Sequence, residues 1–346
     1  MKSQALALFG VVLVLALSCG LAQAGSLAAW ETISQTDFAA FGTGGMRGNG
    51  TGSITVSGIS GPVTHALLIW HGPADNDALN ANATVSFNGN TITGSNVGRS
   101  DNNCWGFLLS HAYVADVTAY VSGNGTYTLT NFLKADADVN GVSLLVFYND
   151  GNAANNRDVV VFAGNDSSES NLYDPDGWSA SLAGINFAGG TAQLMLIVGD
   201  GQSFYDFGVA VNGTPYWPSA SHNFEGDTFG ICVDNNGCLW DHSQVDISSE
   251  LVLGPNTLTL ASIGDGSDCL GLVGAIFILP AGSAPPTPVE LGAISAQRVE
   301  GGVLVSWETV MELDNLGFYL YRSTSLDGER TLVNTELIAG TGTSDG

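Results

Sequence analysis

One stretch of this chain occurs twice, and it limits the folds that the chain can adopt. Residues 114–131 read VADVTAYVSGNGTYTLTN, two alternating runs joined by Ser-Gly-Asn-Gly, and a third apolar run follows at Gly141–Tyr148. The pattern returns at 245–260 as VDISSELVLGPNTLTL, followed by a third run at Leu272–Leu279. Alternation of apolar and polar residues is typical of half-buried β-strands. The recurrence therefore predicts a duplicated β-sandwich that contains a hairpin at this stretch in each copy.

Other features match in the same order along the two halves. Each half has a continuous apolar run, at 63–71 and at 191–198, and then a short strand that ends in Asn-Gly, at Asn88 and at Asn212. Asn-Gly favours a two-residue hairpin turn because both residues tolerate positive φ. Short strands separated by such turns are typical of sandwiches and jelly rolls. We expect an all-β fold with two tandem, related, jelly-roll-like β-sandwich domains that pack together. Asp116 and Asp246 occupy matched positions, so we expect them to be structural.

The pattern also divides the chain into segments. Residues 25–52 are rich in glycine, so we expect a lead-in loop or one edge strand there. The predicted boundaries are 1–24 for a signal peptide, 25–52 for the lead-in segment, 53–152 and 153–280 for the two sandwiches, 281–288 for a Pro/Ser linker, and 289–346 for a third module.

The N-terminus has the features of an export signal. Lys2 precedes an apolar run at Ala5–Leu17, and Ala22-Gln23-Ala24 is a small-residue cleavage site. We expect cleavage after Ala24, with lipidation of Cys19 as the alternative. No other stretch is long and apolar enough for a transmembrane helix. The sequence thus predicts an exported protein, either extracellular or on the cell surface.

Four cysteines remain after cleavage, and an even number in an exported protein indicates disulfides. Cys232 and Cys238 flank a turn-rich segment, so a local bridge between them would leave Cys104 to pair with Cys269. Four cysteines allow three pairings, and spacing alone does not choose between them. A zinc site is the alternative, although no tight Cys-x-x-Cys pair is present.

Charge narrows the range of partners. The chain has 33 acidic and 8 basic residues, a net charge of −25, and 45% hydrophobic residues. Strong charge predicts disorder only when hydrophobicity is low, so the acids belong to a folded surface. We expect no nucleic-acid partner, because nucleic acids require basic patches. Instead, an acidic surface favours cations such as Ca²⁺.

The clearest cation motif is Asp136-Ala137-Asp138-Val139-Asn140-Gly141. Its D-x-D-x-N-G order is the opening of a calcium loop, in which alternate oxygen atoms surround a hard cation. The closing Glu at position twelve is replaced by Phe147, so the motif is not a complete EF-hand. We name Asp136, Asp138 and Asn140 as a candidate Ca²⁺ site, with a plain strand-connecting turn as the alternative.

Motifs for catalysis are lacking. The chain has neither a G-x-S-x-G elbow nor an H-E-x-x-H helix motif. We expect Trp105 and Trp240 to be equivalent core positions of the two repeats, and Tyr216 with Trp217 to form an exposed ligand-binding patch.

Two segments resemble known families. The first is carried by Val305-Ser306-Trp307, Glu312-Leu313-Asp314-Asn315 and Gly317-Phe318-Tyr319-Leu320-Tyr321-Arg322, which resemble a fibronectin-III-like module of secreted bacterial proteins. Such a sandwich has about 90–100 residues, so the resemblance implies a partial module. It is either part of a longer chain, which we expect, or is completed by another chain through strand addition.

The second resemblance covers about 28–280. Its segments His65–Trp70, Val85–Gly89, Asp116–Thr118 and Gly141–Tyr148 are similar to an uncharacterised family of secreted double β-sandwich proteins of bacteria and archaea. This resemblance implies a cell-surface location and no activity.

These observations favour a secreted or cell-surface structural or adhesive protein without catalytic activity, with Ca²⁺ as its one candidate cofactor. The expected partners are cell-surface or extracellular-matrix components, glycans, or further copies of the chain. The alternatives are a carbohydrate-binding or carbohydrate-processing protein, and a fibre subunit that assembles by strand donation.

Overall fold

A computed structural model describes most of the chain. The described residues are 26–174, 177–230, 238–283, 289–299, 302–318, 320–322, 331–334 and 338–345. The predicted signal peptide, with its Ala24 cleavage site and Cys19, and most of the predicted linker lie outside them. The described residues fall into two compact units, one within 20–285 and one within 286–346.

The larger unit consists of antiparallel β-sheets, as the sequence predicted. It begins with β1 (Leu27–Thr43). The first repeat contains β2 (Gly52–Val56), β3 (Val63–Ala74), β4 (Thr84–Phe87), β5 (Asn90–Thr93), β6 (Ser95–Ser100), β7 (Leu109–Asp116), β8 (Gly125–Thr130) and β9 (Gly141–Tyr148). The second contains β10 (Arg157–Ser167), β11 (Ser179–Phe187), β12 (Gln193–Gly199), β13 (Gly208–Val211), β14 (Thr214–Trp217), β15 (Trp240–Asp246), β16 (Gly254–Ile263) and β17 (Gly271–Pro280).

The strand order is the same in both repeats. The outer sheets run β2-β8-β4-β5 and β11-β16-β13-β14, and the inner sheets contain β9-β3-β7 and β17-β12-β15. Among the described residues, only the first repeat has a further strand, β6, beyond β7. Asn88 and Asn212 both have positive φ, 49° and 50°, in the matched Asn-Gly turns. The duplication that the sequence indicated is therefore present in the topology.

Three apolar cores hold the sheets together. One lies between the inner and outer sheets of each repeat, and a third combines residues of both repeats. The inner sheet of the second repeat is apolar on both faces, as β12 illustrates. Leu194 and Leu196 enter the core of the second repeat, whereas Met195 and Ile197 enter the shared core. Because successive side chains of a strand point to opposite faces, a sheet packed on both sides requires a continuous apolar run.

The predicted lead-in segment contains one strand, β1, whose two parts each pair on one side with a different sheet. The first part of β1 pairs with β10 of the second repeat, and the second part pairs with β9 of the first. The register shifts between Ile33 and Thr36, where Gln35 has a φ of 52°. The two inner sheets are therefore joined through one strand.

The predicted hairpin at 114–131 does not form. After β7 ends at Asp116, Thr118–Tyr120 make a single 3₁₀ turn, and β8 then pairs with β2 and β4 in the outer sheet. Asp116 Oδ1 accepts hydrogen bonds from Thr118 N, at 2.8 Å, and from Thr118 Oγ1, at 2.6 Å. Such a side-chain-to-backbone bond competes with strand pairing and turns the chain. Asp246 makes the same two contacts with Ser248, at 2.9 and 2.6 Å.

The C-terminal unit is a smaller antiparallel assembly. Its sheet has the order β18 (Val289–Val299), β19 (Gly302–Phe318) and β22 (Ile338–Asp345), and β20 (Tyr321–Arg322) pairs with β21 (Thr331–Leu332). The half-buried Trp307 contacts Phe318 edge to face, with ring centroids 5.3 Å apart. No helix among the described residues of the chain is both long and apolar enough to cross a lipid bilayer.

Candidate functional site

The three candidate calcium ligands lie close together in sequence but have separate hydrogen-bond partners. Asp136 Oδ2 accepts from Asn76 Nδ2 at 2.7 Å, and Asp138 accepts from Gly48 N at 3.0 and 3.1 Å. Asn140 Oδ1 accepts from Arg47 Nη2. In the described parts of the chain, no three His, Cys, Asp or Glu side chains are grouped so that they could hold a metal. The positive charge of Arg47 beside Asn140 disfavours a cation at that atom, and the calcium site stays a prediction.

Arg47 forms a polar junction between the two repeats. Its guanidinium contacts Asn140 of the first repeat and Asp200 of the second, with Nη2 3.2 Å from Asp200 Oδ1. Trp105 donates from Nε1 to both carboxylate oxygens of Asp200, at 2.7 and 2.6 Å. Arg47 Cζ also lies 4.0 Å from the Trp105 ring centroid, a cation–π distance. We call Arg47, Trp105, Asn140 and Asp200 the Arg47 junction.

Burial makes this junction energetically important. Asp200 is fully buried, and the Arg47 side chain is 15% exposed. Burial raises the pKa of Asp200 well above its usual range, and the Arg47 charge and the Trp105 hydrogen bond offset only part of that shift. Burial also lowers the pKa of Arg47. Each group therefore depends on the other to remain charged inside the protein.

A disulfide crosses the same boundary between the repeats. Cys104, which precedes Trp105, is bonded to Cys269, with 6.0 Å between their Cα atoms. This confirms one of the predicted pairs. Cys238 is also disulfide-bonded, and its predicted partner Cys232 lies outside the described residues. Cys104 is thus a disulfide cysteine, and the alternative zinc role does not apply to it.

We expect removal of this bridge, by Cys104→Ser with Cys269→Ser, to destabilise the larger unit. The bonded residues are 165 positions apart, so the bridge restricts a long loop of the unfolded chain, and we expect a loss of about 2–5 kcal/mol. Urea denaturation of the non-reduced wild type and the variant would measure it. An unchanged denaturation midpoint would show that the shared core alone holds the repeats together.

Buried carboxylates of the second repeat anchor its loops. Asp206 Oδ2 accepts from Phe224 N at 2.8 Å, and Asp241 Oδ2 accepts from Gly226 N at 2.7 Å. Asp268 accepts from two backbone amides, Gln202 N at 2.8 Å and Cys269 N at 2.9 Å. These bonds hold the loops around 202, 224 and 269 in place. The carboxylates therefore have backbone amides of the protein as their hydrogen-bond partners.

Burial also perturbs the titration of these acids. It raises the pKa of Asp268 to about 7, and that of Asp206 and of Asp241 to about 6, while the backbone hydrogen bonds act in the opposite direction. Asp166 has a pKa of about 8, raised by burial and by the nearby charge of Asp174. Perturbed pKa values occur at catalytic sites but also in structural networks.

One pair of side chains has the composition of a nucleophile and its base. Ser143 Oγ lies 2.6 Å from His242 Nε2, and Trp240 Nε1 donates to the same oxygen at 2.9 Å. Because the indole can only donate, Ser143 Oγ accepts from Trp240, and the tautomer of His242 decides which group donates in the Ser143–His242 bond. Burial lowers the pKa of His242 to about 3, and Ser143 is itself buried within β9. A substrate carbonyl cannot reach this hydroxyl, so the pair links β9 to β15 and does not form an esterase-like site.

The predicted aromatic sites are placed differently. Trp217 is 5% exposed, lies in the core of the second repeat and donates from Nε1 to Ser243 Oγ at 2.8 Å. Tyr216 is half-buried, and its hydroxyl lies 3.2 Å from Ser249 Oγ. The expected exposed patch therefore lacks its tryptophan, because the run Tyr-Trp-Pro ends a strand whose alternate residue faces inward.

Trp105 and Trp240 are not equivalent, contrary to expectation. Trp240 is fully buried in β15, opposite Gly199, and the residue in the matching position of β7 is Ser110, opposite Pro73. Trp105 is half-buried on a loop at the Arg47 junction. Similar Asp-Asn-Asn segments precede both tryptophans, but they fall at different points of the two repeats.

Sequence reasoning did not identify Arg47 or Asp200. The available signal was the scarcity of basic residues, with only 8 in a chain of 346 residues. Each of these few basic residues is a candidate for an ion pair with one of the many acids. Arg is seldom buried unless it is paired, so a buried Arg indicates such a role.

Comparison with known proteins adds little. No protein-family model matches this chain, and no curated protein matches it. Among solved structures, one that the chain is similar to is described as the structure of PNGF-II in a C2 space group. The two share 12% identity and a TM-score of 0.26, over 66% of this chain and 59% of that one. A likeness at this level carries no argument about activity.

Proposed function

We propose that this chain is an exported structural or adhesive protein of the cell surface or extracellular matrix, and that it is not an enzyme. One observation carries the proposal: the two repeats are joined in several independent ways. They share β1, they share an apolar core, and Cys104–Cys269 and the Arg47 junction connect them. A unit fastened in this way suits a protein that must keep its shape outside the cell.

The use of polar groups supports the same proposal. The buried carboxylates of Asp206, Asp241 and Asp268 accept hydrogen bonds from loop amides, and Ser143 is inaccessible. Disulfides persist in oxidising compartments, which agrees with export. The acidic surface suits cationic or Ca²⁺-bridged contacts with other surface components.

Localisation and attachment in the organism that encodes the chain would test this proposal. We expect an epitope-tagged full chain in the medium or on intact cells, with Gly25 as its first residue and Cys104 oxidised. We also expect cells without the gene to attach less well to surfaces or to one another. An intracellular protein that retains residues 1–24 and has a reduced Cys104 would contradict export. Turnover of a glycoside or ester substrate would contradict the absence of catalysis.

A further inference from the structure

A groove of ≈ 500 Å³ opens at the edge of the shared core. Its floor is the inner face of β12 and β15, and the second part of β1 forms one wall. The residues that matter for its chemistry are Gln193, Gln244, His242, Arg157, Phe38 and Phe229. Its volume falls within the range of about 300–1,000 Å³ that is usual for small-ligand sites.

Comparison of the two repeats shows which residues stand at the positions of Gln193, Gln244 and His242 in the first repeat. Asp116 and Asp246 begin matched turns, so the register with β3 and β12 makes Leu67 equivalent to Gln193. By the same register, Val114 is equivalent to Gln244, and Ala112 to His242. The three residues of the first repeat are apolar, buried and part of the shared core.

The second repeat thus carries polar side chains where the first has core residues. The equivalent face of the first repeat is covered, whereas Gln193 and His242 are half-buried and Gln244 is exposed to the groove. One duplicated surface has therefore become a closed interface in one repeat and an open polar surface in the other.

The groove offers neutral hydrogen-bonding groups in fixed orientations. Gln244 Nε2 donates to Gln193 Oε1, so Gln193 Nε2 remains as a donor and Gln244 Oε1 as an acceptor. The His242 ring is neutral, and its Nε2 is hydrogen-bonded to Ser143 Oγ.

Apolar surface lies beside these groups. Phe38, Phe229 and Ile278 are partly buried against the shared core and also line the groove. Phe229 meets the His242 ring edge to face, with centroids 4.6 Å apart. Alternating apolar and hydrogen-bonding surface matches the faces and the hydroxyl edges of a sugar ring.

The charges of the groove disfavour charged ligands. Asp37 is the one carboxylate among the described lining residues; it is 4% exposed, and its Oδ2 accepts from Asp150 N at 2.8 Å. The cation in the described lining is the exposed Arg157, so no described residue offers an accessible anionic contact to a basic ligand. An acidic ligand would approach against a net charge of −25.

From this geometry we infer that the groove between β1 and the β12–β15 face binds a short neutral oligosaccharide. The Gln193–Gln244 pair and Arg157 bind its hydroxyl groups, and Phe38 and Phe229 pack against its ring faces. This site goes beyond the proposed structural role and is independent of it, since a surface protein can lack such a site. Sugar binding and cellular location are measured separately, so either proposal can fail alone.

The test uses the full mature chain and four uncharged hexasaccharides: hexa-N-acetylchitohexaose, cellohexaose, mannohexaose and maltohexaose. We expect at least one to bind in calorimetric titration with a Kd of about 1 mM or lower. Gln193→Leu with Gln244→Val installs the residues of the first repeat and removes the amide pair, and we expect a Kd at least about tenfold higher. Thr55→Val with Thr126→Val is the matched control, because it also replaces a hydrogen-bonded pair on an exposed sheet face. It should leave the Kd unchanged.

A second measurement does not depend on the variants. In the wild type, the bound hexasaccharide should slow amide hydrogen exchange at 37–40 and 240–246 and leave 125–130 unchanged. The inference is overturned if none of the four saccharides binds, or if binding survives the loss of both amides. It is also overturned if only hexagalacturonate or an uncharged extended hexapeptide binds.

Discussion

Replacing Arg47 with methionine is expected to destabilise the larger unit by about 3–5 kcal/mol at neutral pH, as for other buried ion pairs that lose one partner. The substitution keeps most of the volume beside Trp105 but removes the charge that faces Asp200. Asp200 is fully buried, so its carboxylate would then have to be held without a counter-ion or take up a proton. Urea denaturation followed by tryptophan fluorescence would measure the change.

Two further variants separate the charge effect from simple packing. Adding Asp200→Asn to Arg47→Met removes the stranded carboxylate, so the double variant should be more stable than the single one. Arg99→Met is the matched control, because Arg99 also lies over an aromatic ring, 5.5 Å from the Tyr173 centroid, but forms no ion pair with a carboxylate of the described residues. We expect it to cost less than about 1 kcal/mol. A loss of equal size for Arg99→Met would contradict the role of the ion pair.

The second large effect concerns pH, and we expect the protein to be more stable at pH 5 than at pH 8. Folding raises the pKa of four buried aspartates outside the Arg47 junction, Asp166, Asp206, Asp241 and Asp268. Between the unfolded value of about 4 and the raised folded values, the folded protein holds protons that the unfolded chain has released. The free energy of unfolding therefore falls as the pH rises through this window.

Three histidines act in the opposite direction. Burial lowers the pKa values of His71 and His242 to about 3 and also lowers that of His111, so keeping these rings neutral costs stability below the unfolded pKa of about 6.5. The aspartates are more numerous than the histidines. Asp166, with a pKa of about 8, and Asp268, with a pKa of about 7, also titrate above the unfolded pKa of histidine. The net loss from pH 5 to pH 8 should be on the order of several kcal/mol, since a tenfold difference in proton affinity between the folded and unfolded protein corresponds to about 1.4 kcal/mol.

Urea denaturation at constant ionic strength would measure this slope between pH 5 and pH 8. Asp166→Asn should flatten it, because the amide does not titrate, whereas Asp150→Asn should not, because the folded pKa of that exposed carboxyl is lowered. A stability that rises steadily over this range would show that the aspartates are ionised in the folded protein.

Much of the architecture could be predicted because strand patterns are local. The run at Gly141–Tyr148 forms a strand at the predicted residues, and a short strand precedes each matched Asn-Gly turn, as predicted, at Thr84–Phe87 and at Gly208–Val211. Each repeat has Asn-Gly at its matched turn, and these two residues determine which residues of the flanking strands pair. What the pattern could not show is where a strand leaves one sheet for another. At the end of β7, the hydroxyl of Thr118 donates to the carboxylate of Asp116 and turns the chain towards the outer sheet. The hydrophobicity of the sequence does not change at this position, so the pattern gives no sign of the turn.

The site was less accessible to sequence reasoning because its contacts are distant. Arg47 meets Asp200 across 153 positions, and Trp105 meets Asp200 across 95. Motif spacing can suggest a calcium loop at 136–140, but it cannot show that a guanidinium from another segment contacts Asn140. The groove has no motif at all, and it is recognised only when the two repeats are aligned by strand register.

The shared strand has a mechanical consequence. β1 and β17 flank β10, and both pair with it in antiparallel fashion. Leu27, the first residue of β1, is opposite Gly164 of β10, at the end of the sheet where β17 starts. Pro280, the last residue of β17, is opposite Arg157 at the other end of β10. A tension applied between Leu27 and Pro280 would pull β1 and β17 in opposite directions along β10. Their backbone hydrogen bonds would then be sheared together instead of opened one after another, and neither outer sheet would lie in the line of force.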